Sequence, residues 1–202
     1  MSPRPRLDQI RRPAILSAAA SVIRERGLDG ARIADVAAAA GTSPAAVLYW
    51  FSSKTELLNE ALTAAEAGYY DELACELAGL ESARERLALI IDTWPGQGDY
   101  SATLWIELWP RALRDDGLAT VRAELDDKWR ATIAEIVRYG QERGEFGPAE
   151  PRGFAVLLAA LLDGFAVQVA LRDEEVTPKR VREMGLRLAE RELGCEMEVT
   201  RC

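Results

Sequence analysis

Histidine is absent from the 202 residues. That excludes Ser-His-Asp and Cys-His catalysis, as well as HExxH and Cys2His2 zinc sites. Cysteine is scarce: Cys75, Cys195 and Cys202 are odd in number, widely spaced and without a CxxC pair. Neither a disulfide framework nor a zinc ribbon is indicated, so no metal and no cofactor are expected. Long apolar runs are missing too. The longest, 154–162, falls well short of the ~20 residues of a membrane helix, and no membrane partner is expected. Residues 1–13 are basic and proline-punctuated without an apolar h-region, so no signal peptide is expected and a cytoplasmic location is the simplest reading. Strand signals are lacking: there is no sustained period-2 alternation and no Asn-Gly turn.

Ala, Leu, Glu and Arg dominate instead, all strong helix formers. The expected fold is all-α. Hydrophobic content of 49% with 29% charged residues is that of a soluble globular chain. The net charge of −8 argues at first against a nucleic-acid partner, for which a basic domain is the usual footprint. The charge is uneven, however. Residues 1–62 carry 8 basic and 6 acidic side chains, residues 63–202 carry 17 and 27.

Apolar spacing divides the chain into helices. Ile15, Ala19, Val22 and Ile23 mark a first helix beginning near Ile10–Pro13 and stopped by Gly27. Ile33, Val36, Ala37 and Ala40 mark a short second one, ended by Gly41 in the left-handed conformation that glycine adopts easily. Ser43 as N-cap and Pro44 at the first helical position open a third. Ser53 and Glu56 form an S-x-x-E capping box for a fourth, running to about Leu77. Longer helices follow over 82–94, 100–114, about 118–144 and 152–172. Thr177-Pro178 caps the last, with Val181, Met184 and Leu188 on its inner stripe.

Two short helices joined by a tight glycine turn over 32–51, preceded by a longer helix, have the layout of a helix-turn-helix. Thr42, Ser43, Ala45 and Ala46 are small enough for a backbone to approach phosphates and base edges. The N-terminus of that helix offers N–H groups to a phosphate. Tyr49, Trp50 and Lys54 supply a hydroxyl, an indole N–H and a cation within about two turns. Spacing alone leaves open an ordinary helical bundle with no DNA role.

The segments Ile33-Ala34-Asp35-Val36-Ala37, Ala40-Gly41-Thr42-Ser43 and Leu48-Tyr49-Trp50-Phe51-Ser52-Ser53-Lys54-Thr55-Glu56-Leu57-Leu58 make the match specific. They resemble, in order and register, the signature of TetR-family transcriptional repressors. The resemblance implies about nine helices. A helix-turn-helix domain over 1–56 would bind double-stranded operator DNA, and a domain over 57–202 would hold an effector and dimerise. It places Thr42, Ser43, Pro44, Ala45, Ala46 and Tyr49 where the recognition helix meets DNA, Trp50 and Lys54 at phosphates, and Arg32 near the backbone. Phe51 matches a core aromatic. Two positions depart from the pattern: Leu48 stands where the family commonly has Tyr, and Ala31 where it has Thr or Ser. A basic arm with Arg4, Arg6, Arg11 and Arg12 precedes the motif; an arm of this kind can reach a groove, or be an incidental charged tail.

Residues 104–114, 140–146 and 161–168 are similar to the C-terminal region of BetI-type members of that family. This implies an effector-binding core and a four-helix dimer interface. Leu157, Leu161, Phe165 and Val169 share one helical face and, with Met184 and Leu188, are the interface candidates. Trp94, Trp105, Trp109 and Trp129 cluster in 94–129, with Tyr69 and Tyr100 as neighbours, interspersed with Asp92, Asp99, Glu107 and, further on, Asp163. Aromatic faces with carboxylates suit a cationic ligand, and an aromatic effector fits the same tryptophans. The plainer alternative is that these tryptophans are core and these acids are solvated. The expected function is a homodimeric, ligand-responsive transcriptional repressor without catalysis. The alternatives are a helical dimeric interaction module without DNA binding, or a helical-bundle enzyme limited to carboxylate, Lys or Tyr chemistry.

Overall fold

The computed structural model describes residues 4–93 and 102–197. Nine α-helices occur among them: α1 (Arg4–Gly30), α2 (Ile33–Ala39), α3 (Pro44–Trp50), α4 (Lys54–Ala78), α5 (Ala83–Thr93), α6 (Ala102–Ala112), α7 (Asp116–Glu142), α8 (Pro151–Ala170) and α9 (Pro178–Leu193). No strand occurs among the described residues.

The chain packs as two compact units. One comprises Met1–Asp71 with Thr103–Arg122, the other Glu72–Ala102 with Ala123–Cys202. α6 thus belongs with the N-terminal helices.

The first unit is built on a core of Ile15, Ala19, Val22 and Ile23 from α1, Val36 and Ala37 from α2, Val47 from α3, and Phe51, Leu57, Leu58, Ala61 and Leu62 around the start of α4. Leu108 and Leu118 join it from the later segment. α1 begins earlier than its apolar pattern suggests, at Arg4, with Pro13 inside it. Pro13 has no N–H to donate, which ordinarily favours a helix start there. Tertiary contacts hold the preceding turn: the Arg12 guanidinium lies 5.1 Å from the Phe51 ring centroid and pairs with Glu60. Helical geometry is interrupted by a kink at Gly27, where φ is +71° and ψ 172°.

In the second unit, α8 buries Phe154, Ala155, Leu158, Ala159, Leu162 and Ala166, and α9 buries Val181, Gly185, Ala189 and Leu193. A Cβ at Gly185 would meet Ile91 Cγ2 at 2.8 Å, so the missing side chain lets α9 close on α5. The inner stripe of α9 keeps Val181 but not Met184, which is exposed, or Leu188, which is half-buried. The buried row runs 181, 185, 189, 193, a strict i+4 spacing on which 184 and 188 lie one position off. α8 is the one described helix long and apolar enough, by composition, to cross a membrane. Its packed face is core of this unit.

Loop 143–150 is pinned by side chains. The Glu145 carboxylate accepts from Ser82 Oγ at 2.7 Å and from the Arg84 N–H at 3.3 Å, at the start of α5. Burial pushes its pKa up, but the Ser82, Ala83, Arg84 and Arg143 donors outweigh that and hold it below the usual carboxylate range. Arg86 stacks on the Tyr139 ring at 4.0 Å, and Tyr139 Oη donates to the Glu81 carbonyl at 2.9 Å.

Candidate nucleic-acid interface

α2 and α3 have only seven residues each. Helices this short do not persist on backbone bonds alone, so their ends must be fixed by other groups. Gly41, at φ +63°, supplies the left-handed residue. The Gly41 N–H donates to the Ala38 carbonyl at 3.2 Å, and the Thr42 N–H to the Ala37 carbonyl at 2.9 Å. This double closure is a Schellman motif, and it reverses the chain without extra residues. Ser43 caps α3: its Oγ accepts from the Ala46 N–H at 3.2 Å, with Pro44 at the first helical position. The cap side chain therefore occupies one of the N–H groups that the sequence suggested for a phosphate.

Ser53 Oγ accepts from the Glu56 N–H at 3.1 Å, as the expected capping box requires. The return contact differs by one residue. Glu56 accepts from the Ser52 N–H at 2.6 Å and from Ser52 Oγ at 2.5 Å, not from Ser53. These two donors lower the Glu56 pKa.

Val47 and Phe51 anchor α3 from beneath, both fully buried. The opposite face projects outward. Tyr49 is 80% exposed and Leu48 49% exposed. Ser43, Pro44, Ala45, Arg32 and Lys54 are exposed, and Thr42, Ala46 and Trp50 are partly so. Tyr49 meets Trp50 edge-on, with ring centroids 5.3 Å apart, and Trp50 leans on the core. All nine residues proposed from sequence thus lie at the surface of one motif. Ala31 is 1% exposed, so its methyl is core and not a surface contact. Leu48 leaves an aliphatic side chain on the outer face. Lys54 Nζ donates to the Asp29 carbonyl at 3.3 Å, an anchor the sequence did not suggest.

The ligand and dimer candidates are less concentrated. Trp94, Asp99 and Tyr100 lie outside the described residues. Trp105 and Trp109 belong to α6 of the first unit, where Trp105 packs against the apolar core. Trp129, 8% exposed, and Asp163 belong to the second unit. Two acids expected to face a cation are engaged elsewhere: Asp92 accepts from Arg182 Nε at 2.5 Å, and Glu107 accepts from the Leu28 N–H at 2.7 Å. Of the interface candidates, Leu157 and Met184 are exposed at 45% and 40%, and Leu161, Phe165, Val169 and Leu188 are half-buried. They form an outer row on α8 and α9, distinct from the buried row.

The comparisons agree with this geometry. Residues 15–61 match the family model of bacterial regulatory proteins of the tetR family, and residues 83–194 match that of the BetI-type transcriptional repressor, C-terminal. The chain belongs to the TetR family of transcriptional regulators, and its C-terminal part is of BetI type. It is 28% identical over 193 residues to HTH-type transcriptional regulator BetI 1 of Chromohalobacter salexigens, with 93% of each chain covered. A solved transcriptional regulator from Saccharomonospora viridis, in complex with choline, is 31% identical. That match covers 89% of this chain and 95% of the other, with a TM-score of 0.77. A TetR-family regulator from Rhodococcus sp. is 28% identical at a TM-score of 0.73, covering 91% and 98%. Both resemblances drawn from the sequence hold, and the relatives are regulators, not enzymes.

Proposed function

We propose that the chain is a homodimeric cytoplasmic repressor. It holds a pseudo-palindromic double-stranded operator and lets go when a small cationic effector binds. Residues 1–56 serve DNA, and residues 57–202 serve the effector and the partner subunit.

The outer face of α3 carries this reading. A seven-residue helix leaves Leu48 and Tyr49 in water while caps and two buried anchors fix its orientation. Exposed aromatic and aliphatic groups on a rigid short helix suit a major groove, where an aliphatic group contacts a thymine methyl and a hydroxyl reaches a phosphate. A dimer sets two such helices against half-sites about 34 Å apart or a multiple of it. Leu157, Leu161, Phe165, Val169, Met184 and Leu188 serve as the dimer face.

The choline complex of the Saccharomonospora viridis regulator supports a quaternary ammonium or amine as the effector class. Trp109 in the first unit and Trp129 in the second are each candidates for contact with it. The effector acts by binding one of two conformations more tightly and shifting their populations.

Thermal-shift titration tests the effector class, with choline against its neutral isostere 3,3-dimethylbutanol. Choline should raise the melting temperature and the isostere should not. Equal shifts from both, or none from choline, contradict a cation effector.

A further inference from the structure

One corner of the first unit is gripped from α6. Where α1 kinks at Gly27, the next N–H, of Leu28, donates to Glu107 Oε2 at 2.7 Å. A Cβ on Gly27 would stand 2.6 and 2.8 Å from the two Glu107 oxygens, so the carboxylate approaches only because residue 27 has no side chain. One helical turn further along α6, Arg111 pairs with the Asp29 carboxylate. The Asp29 carbonyl in turn accepts from Lys54 Nζ. Leu28 and Leu108 are 1% exposed and seat the corner in the core. Two consecutive residues, 28 and 29, are therefore held by an acid and a base from one face of α6, and the second holds the ammonium proposed to meet a phosphate.

We infer that Glu107 and Arg111 are positioning residues for DNA binding, acting through Asp29 on Lys54. This rests on the DNA reading above. A lysine ammonium has three N–H donors; the Asp29 carbonyl takes one and leaves two for a phosphate. Holding the long Lys54 side chain in advance lowers the rotamer entropy lost on contact. Neither Glu107 nor Arg111 touches DNA in this scheme.

A double-mutant cycle tests it. The probe is a duplex that the wild-type chain selects from a randomised library, with affinity measured over a range of salt. Lys54→Ala should weaken binding and lower the salt slope by about 1. Glu107→Ala should weaken binding about fivefold in the wild-type background and have almost no effect in the Lys54→Ala background. Glu107→Gln, which keeps an oxygen for the Leu28 N–H, should recover most of the affinity. Losses that simply multiply, or a folded Glu107→Ala with unchanged affinity, overturn the inference. Should Glu107→Ala not fold, Arg111→Gln at the more exposed pair carries the same cycle, and multiplying losses there overturn it equally. Selection of no duplex at all overturns the DNA reading beneath it, and a normal Lys54→Ala slope effect separates the two failures.

Discussion

The helix-turn-helix and the α8–α9 pair reach order by opposite means. α2 and α3 have one or two buried side chains each, and their shape is set by Gly41, Ser43-Pro44 and the Ser52–Ser53–Glu56 contacts at their ends. α8 and α9 are 20 and 16 residues long and are held by rows of buried side chains. Orientation in the first case depends on a few polar atoms near the surface together with two buried anchors, Val47 and Phe51. In the second it depends on apolar area, which is spread over many residues and tolerates change better. A short motif with its caps at one edge can leave its other face free of packing duties, which a recognition surface requires. α8 has a spare face as well, but an apolar one, with Leu157, Leu161, Phe165 and Val169, which is proposed above as the dimer face.

Four substitutions separate these two modes. Phe51→Ala should have the largest effect, because Phe51 is fully buried beneath α3 and meets Arg12 above its ring. A loss of about 3–5 kcal/mol in chemical denaturation is expected. A loss below about 1 kcal/mol would mean that α3 is not anchored there.

Gly140→Leu comes next. A Cβ at 140 runs into the Phe146 ring, which is 5% exposed and cannot swing out without opening the loop. Destabilisation of about 1–3 kcal/mol is expected, with the DNA affinity of the folded fraction unchanged.

Glu145→Gln tests the polar pin of the second unit. The Glu145 pKa is depressed in the folded chain, so its contribution to stability is complete above the unfolded-state carboxylate pKa, roughly pH 4. It is lost as pH falls through the lower folded-state value. At pH 7 the variant should be less stable by about 1–2 kcal/mol, and its melting temperature should fall less steeply than wild type in acid. Parallel acid profiles would contradict the assignment.

Ser43→Ala has the smallest effect on stability, about 1 kcal/mol. Its effect on DNA affinity should be proportionately larger than that of Gly140→Leu, because Ser43 orients α3 while Gly140 lies in the other unit. The reverse order would break the contrast drawn between the two regions.

Local signals made most of the helix-turn-helix legible. Gly41, Ser43-Pro44, Ser53 and Thr177-Pro178 act within a few residues, and each helix boundary they suggested is where the structure has one. The outward placing of Tyr49 and the core placing of Phe51 follow from the family resemblance and not from spacing. Contacts between distant segments were not readable. Glu107 and Leu28 are 79 positions apart, and nothing local marks a carboxylate that will serve a backbone N–H in place of a ligand. The only local trace was Gly27, whose positive φ is also what a plain helix stop requires. The early start of α1 has no local signal, because Pro13 has the features of a first helical residue and the contact of Arg12 with Phe51 is between distant positions. The tryptophans of 94–129 are neighbours along the chain, yet Trp105 and Trp129 fall in different units. Such proximity says little about shared surroundings.

The most direct measurement of the central claim is selection from a randomised duplex library by the wild-type chain and by Tyr49→Ala, followed by sequencing. The wild type should enrich inverted half-sites about one helical turn or a multiple apart, and Tyr49→Ala, altered at an 80% exposed position, should lose that enrichment while keeping its melting temperature. Absence of enrichment by the wild type, or identical enrichment by both, would contradict a DNA-reading role for the outer face of α3.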